Sequence, residues 1–211
     1  MKIAIIGSPG AGKSTLAREL GDVLKIEVIH LDRHFWQPKW KEKPKEIRRQ
    51  IMQKFVEKDQ WIIEGTYLDT SDIRLKVADT IIFLDTSGLL CLWRVINRYF
   101  KYRRRQRPDL PEGCRDKLRL HYMIKILGFP LVKRKRLYTR LCKFESDRTA
   151  FYAFRTKSDV DHFLKKVRQG QTRKEHMQGS TPILDSERRQ MQEEYLLENM
   201  YALNAIGVGV I

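Results

Sequence analysis

The sequence predicts an α/β fold in three layers: a five-stranded parallel sheet with helices on both faces, plus a C-terminal helical extension. Three observations carry this. Five short, mostly apolar stretches at 2–6, 26–31, 61–64, 80–85 and 149–154 are separated by segments of helical periodicity. Runs that are apolar rather than alternating suit strands covered on both faces. The first stretch feeds a glycine-rich turn and then an amphipathic helix, the βα unit from which parallel sheets are wound.

That turn is Gly7-Ser8-Pro9-Gly10-Ala11-Gly12-Lys13-Ser14, followed by Thr15, and it fits the pattern G-x-x-x-x-G-K-[ST]. Leu16, Leu20, Val23 and Leu24 recur behind it at helical spacing. A strand, a glycine loop and a helix in this order aim backbone N–H groups and the positive helix end at one point, which suits a phosphate. Gly10 and Gly12 leave room for the close approach, Lys13 reaches the terminal phosphates, and the Ser14 hydroxyl suits Mg²⁺. The pattern implies binding of a nucleoside triphosphate, here ATP with Mg²⁺.

The remaining elements follow in order. A second strand over 26–31 ends at Asp32, and a Trp- and Lys-rich loop runs from Arg33 to Lys43. Pro44 suits the first position of a helix reaching about Lys58. Trp61-Ile62-Ile63-Glu64 is a third strand closed by Gly65, and a short helical turn near 71–77 leads to the fourth strand, 80–85. A helix then carries Leu89, Leu90, Trp93 and Ile96 to about Tyr102. Arg103 to Gly113, with Pro108 and Pro111, reads as a loop, and helical patterns resume over 114–127 and 131–144. After the fifth strand, 158–167 is a closing helix. Ligands of such sheets lie beyond the carboxyl ends of the strands, where Gly7, Asp32, Glu64, Asp85 and Arg155 all fall.

Composition bounds the rest. A chain of 211 residues suits one domain with appendages: a core over 1–168, with a linker and helical tail over 169–211. Cys91, Cys114 and Cys142 are odd in number and lack C-x-x-C spacing, so free thiols are expected and a metal site is not. No apolar run has the length of a membrane span, and the expected location is cytoplasmic. The net charge is +16; residues 169–211 hold four Lys/Arg and six Asp/Glu, so the first 168 residues carry +18. Such a field attracts nucleotides and nucleic acids alike, and charge alone does not choose between them.

The phosphate loop, His30-Leu31-Asp32 with Trp36 and Trp40 behind it, Trp61-Ile62-Ile63-Glu64-Gly65, Leu92-Trp93-Arg94 and Arg107-Pro108-Asp109 together resemble the topology modulation (FlaR-like) proteins. Those belong to the adenylate-kinase-like branch of the P-loop kinases, with the P-loop NTPase fold. The resemblance covers about residues 1–168. It implies an acceptor-binding insert near 33–58, an Arg-rich lid near 102–114, and phosphoryl transfer to a small-molecule acceptor such as a nucleotide, nucleoside or polyol. Two other readings stand beside it: an ATP-binding regulator that associates with DNA, and a simple NTPase. No helix-turn-helix, OB or zinc signature supports the DNA reading, and sequence-specific DNA binding is not expected.

Candidate chemistry follows from both sources. Two carboxylates, Glu64 and Asp85, end strands that suit a place beside the first, so either fits the metal acid; the resemblance favours Glu64, with Ser14 as its partner. Asp85 otherwise reads as a helix N-cap before Thr86-Ser87. Asp32 suits a base for a hydroxyl acceptor, and equally a cap or a ligand of Mg²⁺-bound water. His30 and His34 flank it without an assigned role. The resemblance points to Arg98 and Arg103, then Arg104 and Arg107, as arginines that close on the triphosphate beside Lys13. Phe35, Trp36 and Trp40 are expected to pack a small core of the insert rather than stack an acceptor. Where nucleoside monophosphate kinases carry an arginine four residues after the strand acid, this chain has Leu68, and the next arginine is Arg74. That weakens a phosphate-bearing acceptor. The tail stripe Met191, Tyr195, Leu196, Met200, Tyr201 and Leu203 suits a helix near Ser186–Ala202, docked on the core or on a neighbouring subunit, so an oligomer through the tail is one outcome.

Overall fold

The computed structural model describes residues 1–103, 107, 109–114, 118, 120–129, 134, 137, 140–141, 143–144 and 149–170. The expected tail helix and Arg104 lie outside the described residues.

β1 (Lys2–Gly7) passes through the glycine turn into α1 (Lys13–Leu24), which stops at Lys25 in the left-handed region with φ 57°. β2 (Val28–His30) runs directly into α2 (Leu31–Phe35). A small antiparallel hairpin follows, β3 (Trp36–Gln37) and β4 (Lys41–Glu42), with Trp36 opposite Glu42. Then come α3 (Lys45–Val56), β5 (Trp61–Glu64), α4 (Ser71–Leu75) and β6 (Thr80–Leu84). The described chain closes with α5 (Gly88–Tyr102), α6 (Leu120–Leu127), β7 (Ala150–Phe154) and α7 (Lys157–Arg168).

The five long strands form one parallel sheet in the order β2-β5-β1-β6-β7. β1 is central, so the turn that follows it emerges between the ends of β5 and β6. Side chains alternate between the two layers as the strand period requires. Ala4, Ile6, Ile63, Ile81 and Phe83 join the core beneath α2, α3 and α4. Ile3, Ile5, Ile62, Ile82 and Leu84 join the core beneath α1, α5, α6 and α7. Burial on both faces is why these strands read as continuous apolar runs.

Three expectations are corrected. Leu31 and Asp32 do not extend β2 but open α2, because Leu31 and Phe35 sit one turn apart and are both fully buried. Phe35 thereby packs in the main core rather than in a separate core of the insert. Pro44 is the cap of α3, with Lys45 its first residue. Among the described residues, Cys91 and Cys114 are free buried thiols. No described helix is long and apolar enough to cross a membrane.

Candidate active site

The phosphate loop is held by its neighbours before any ligand arrives. Gly10 has φ 85°, and a Cβ there would lie 2.4 Å from the Cys91 carbonyl oxygen of α5. Gly12 has φ 105° and caps α1 with no side-chain bond, leaving the positive end of that helix open to a ligand. The Ala11 amide bonds the Ser8 carbonyl at 3.1 Å, and Lys13 Nζ donates to the same carbonyl at 3.0 Å. Thr66 Oγ1 donates to the Gly7 carbonyl from the β5 side, and Thr86 Oγ1 to the Ala11 carbonyl at 3.4 Å from the β6 side. Burial pushes the Lys13 ammonium below its ordinary value, against the pull of Glu64 and Asp32.

Sheet register brings the acids to the loop. Glu64 pairs with Ile5 on one side and His30 on the other. Its buried carboxylate Oε1 accepts from Ser14 Oγ at 3.0 Å and lies 2.8 Å from His30 Nδ1. Burial alone raises the Glu64 carboxyl, but the His30 hydrogen bond, Lys13 and Ser14 outweigh it and hold the group below its usual range. An ionised carboxylate only accepts, so the His30 Nδ1 carries the proton. A hydroxyl bonded to a carboxylate offers the hard oxygen donors that suit Mg²⁺, which takes few protein ligands and completes its shell with phosphates and water.

Asp32, in the first turn of α2, faces the loop from beyond Glu64. Tyr67 O–H donates to Asp32 Oδ1 at 2.6 Å, and Trp36 Nε1 donates to the Tyr67 oxygen at 2.6 Å. Burial and then the Glu64 charge raise the Asp32 carboxyl above its ordinary value; Tyr67, Lys13 and Arg107 pull the other way. Trp36 in turn meets Trp40 edge to face, with ring centres 5.4 Å apart.

Asp85 stands on the other side of the loop and is not the N-cap of α5. Ser87 takes that place, accepting from the Leu90 amide at 3.4 Å. Asp85 instead receives Arg134 through two nitrogens at 2.6–3.0 Å, with Arg155 Nε 3.4 Å away. These residues line a cavity of about 500 Å³ with Thr86, Ser87 and Lys157. The acids at the strand ends thus fall on two sides, Asp32 and Glu64 flanking one edge of the loop and Asp85 the other.

The expected arginines separate likewise. Arg98 carries its charge near Tyr122 of α6 and acts on Lys13. Arg107 is buried in a two-point pair with Asp109 and acts on Asp32. Arg103 is exposed just past the end of α5. Sequence reasoning missed Arg94, whose Nη1 donates to the Ala11 carbonyl at 3.0 Å. It stands one turn before Arg98, and its only signal was its place in Leu92-Trp93-Arg94. Arg74 is fully buried and donates to the Gly65 and Thr66 carbonyls at 2.6 and 3.3 Å, pinning the chain after β5. Desolvation lowers its pKa to about 10. The hairpin and the segment after α5 also meet: the Lys39 amide bonds the Gly113 carbonyl at 3.3 Å, and Cys114 Sγ donates to the Gln37 carbonyl at 3.1 Å.

No protein-family model and no curated protein sequence matches the chain. Solved structures do. A shikimate kinase from Bacteroides thetaiotaomicron is similar with TM-score 0.51 and 18% identity, over 80% of this chain and 97% of that one. A shikimate kinase from Acinetobacter baumannii, in complex with shikimate, is similar with TM-score 0.50 and 20% identity, over 80% of this chain and 90% of that one. At these identities the likeness is one of fold, and the chain has the P-loop NTPase fold.

Proposed function

We propose that this chain is a small-molecule kinase that transfers the terminal phosphoryl group of ATP, as the resemblance to topology modulation proteins within the adenylate-kinase-like branch implies, and that its acceptor presents a hydroxyl to Asp32. The observation that carries the proposal is the division of the site. The phosphate loop lies between a cavity beyond β6 and β7, which suits the nucleoside half of ATP, and a buried carboxylate on the β2 side, which suits an acceptor.

The residues divide the work accordingly. Lys13 and the open end of α1 hold the β- and γ-phosphates, and Arg94 and Arg98 present positive charge from one face of α5. Arg107 closes near the transfer point, with Arg103 and Arg104 as further cations of the same segment. Ser14 and Glu64 would hold Mg²⁺, which when bound would supply charge neutralisation on the phosphoryl oxygens. Asp32 accepts the proton of the acceptor hydroxyl as its oxygen bonds to the γ-phosphorus and the bond to the β-phosphate oxygen breaks.

The two rival readings predict different chemistry. A plain NTPase has no use for an acceptor insert and a lid, and a DNA-associating regulator transfers phosphate to no acceptor. Transfer of label from γ-labelled ATP to a panel of nucleosides, polyols and nucleotides tests the proposal.

A further inference from the structure

From the chain of hydrogen bonds Trp36–Tyr67–Asp32 we infer that Tyr67 is a positioning residue for the base, fixing which oxygen of Asp32 stays open to the acceptor and favouring the charged form of that carboxylate. The inference rests on the proposed kinase reading for its catalytic meaning, though not for its geometry.

The direction of the chain is set by chemistry. An indole N–H can only donate, so the Tyr67 oxygen accepts from Trp36 at 2.6 Å. The tyrosine's single proton is then free to point only the other way, to Asp32 Oδ1 at 2.6 Å. A donor at each link polarises the next, so the Trp36 contact strengthens the Tyr67 donation. Oδ1 is thereby engaged, and Oδ2 is the oxygen left for an incoming hydroxyl.

The same donation answers an electrostatic problem. Asp32 is buried near a second carboxylate, Glu64 of β5, and both facts favour its protonated form, which cannot take a proton. The groups acting against them come from several elements: Lys13 of α1, Arg107 in the segment after α5, and Tyr67. Tyr122 of α6 also faces Asp32, and burial keeps it neutral. His30 of β2 is engaged with Glu64 instead. Tyr67 is no candidate base itself, since burial and then the Asp32 charge raise its hydroxyl far above the ordinary value. Its ring is locked by a T-shaped contact with Phe35, centres 4.7 Å apart, so its hydroxyl is aimed by the core. Trp36 opens the hairpin, so the relay also ties the acceptor insert to the base.

Tyr67→Phe keeps the ring and removes only the donor. The direct probe is a carbon-13 NMR titration of the Asp32 carboxyl in the full chain. The expected midpoint rises by about one pH unit in Tyr67→Phe, and by less in Trp36→Phe. In phosphoryl transfer, the acidic limb of kcat/KM should move up by the same amount, about a tenfold loss at a pH on that limb, with recovery at higher pH and unchanged ATP affinity. An unmoved Asp32 midpoint in a folded Tyr67→Phe chain overturns the inference, as does an activity loss uniform across pH. A shifted midpoint in a chain whose wild type transfers phosphate to no acceptor upholds the relay and overturns the kinase reading.

Discussion

The Ser14 hydroxyl donates to Glu64 Oε1 at 3.0 Å, joining the first turn of α1 to the end of the neighbouring strand. The contact exists because β5 pairs with β1 in a register that sets Glu64 beside Ile5, two residues before the loop begins. Asp85, at the end of the other flanking strand, is turned to Arg134 and Arg155.

Glu64→Gln keeps the shape of the side chain and removes its charge. The expected result is a rise of about tenfold in the Mg²⁺ concentration that half-saturates activity, the scale seen when a group supporting a metal is lost. Asp85→Asn should leave that concentration unchanged. A Mg²⁺ requirement that follows Asp85 and not Glu64 would reverse the assignment.

Lys13 reaches back to the Ser8 carbonyl at 3.0 Å, across the mouth of the loop. ATP–Mg²⁺ at a hundredfold excess over Kd should stabilise the wild type by about 2.7 kcal/mol in denaturant unfolding. Lys13→Ala should fold normally and lose most of that gain. Equal stabilisation of both chains is the outcome that contradicts nucleotide binding at this loop.

At α7 the prediction concerns stability alone. Thr156 and Asp159 form a reciprocal cap, with the Asp159 amide on Thr156 Oγ1 at 3.2 Å and the Thr156 amide on Asp159 Oδ2 at 2.8 Å. Thr156→Ala should cost about 1 kcal/mol of unfolding free energy. The Thr156 amide bond is the main cause that lowers the Asp159 pKa in the folded chain. A depressed folded value means the carboxylate's contribution is present above the unfolded value near 3.8 and is lost as pH falls below it. Urea midpoints between pH 7 and pH 3 should therefore fall less in Asp159→Asn than in the wild type.

Much of the fold was legible because its physical causes are local. Trp61–Glu64 was bounded to the residue, since four buried positions on a central strand leave an unbroken apolar run ending in the one acid. The phosphate loop was legible for the same reason, its glycines and lysine being contiguous. The second strand was carried through Leu31 to end at Asp32 because Leu31 continues the apolar run. The structure turns at His30 to bury Leu31 and Phe35 as one helical turn. What stayed hidden depends on distance along the chain. Arg94 meets Ala11 across 83 positions, Arg134 meets Asp85 across 49, and Tyr67 meets Asp32 across 35, none with a local signal. Arg74, noted in the sequence only as the next arginine, proved to be a buried clamp on two carbonyls, a role no spacing rule describes.

If Asp32 serves a hydroxyl acceptor across the phosphate loop from the nucleotide, its loss must slow transfer without loosening ATP. Transfer of label from γ-labelled ATP to a panel of nucleosides, polyols and nucleotides, by the wild type and by Asp32→Asn, reads this out. The expected result is labelled product from at least one hydroxyl compound, with turnover reduced roughly 10²- to 10⁴-fold in Asp32→Asn and ATP affinity nearly unchanged. Label released only to water, at equal rates in both chains, would contradict it.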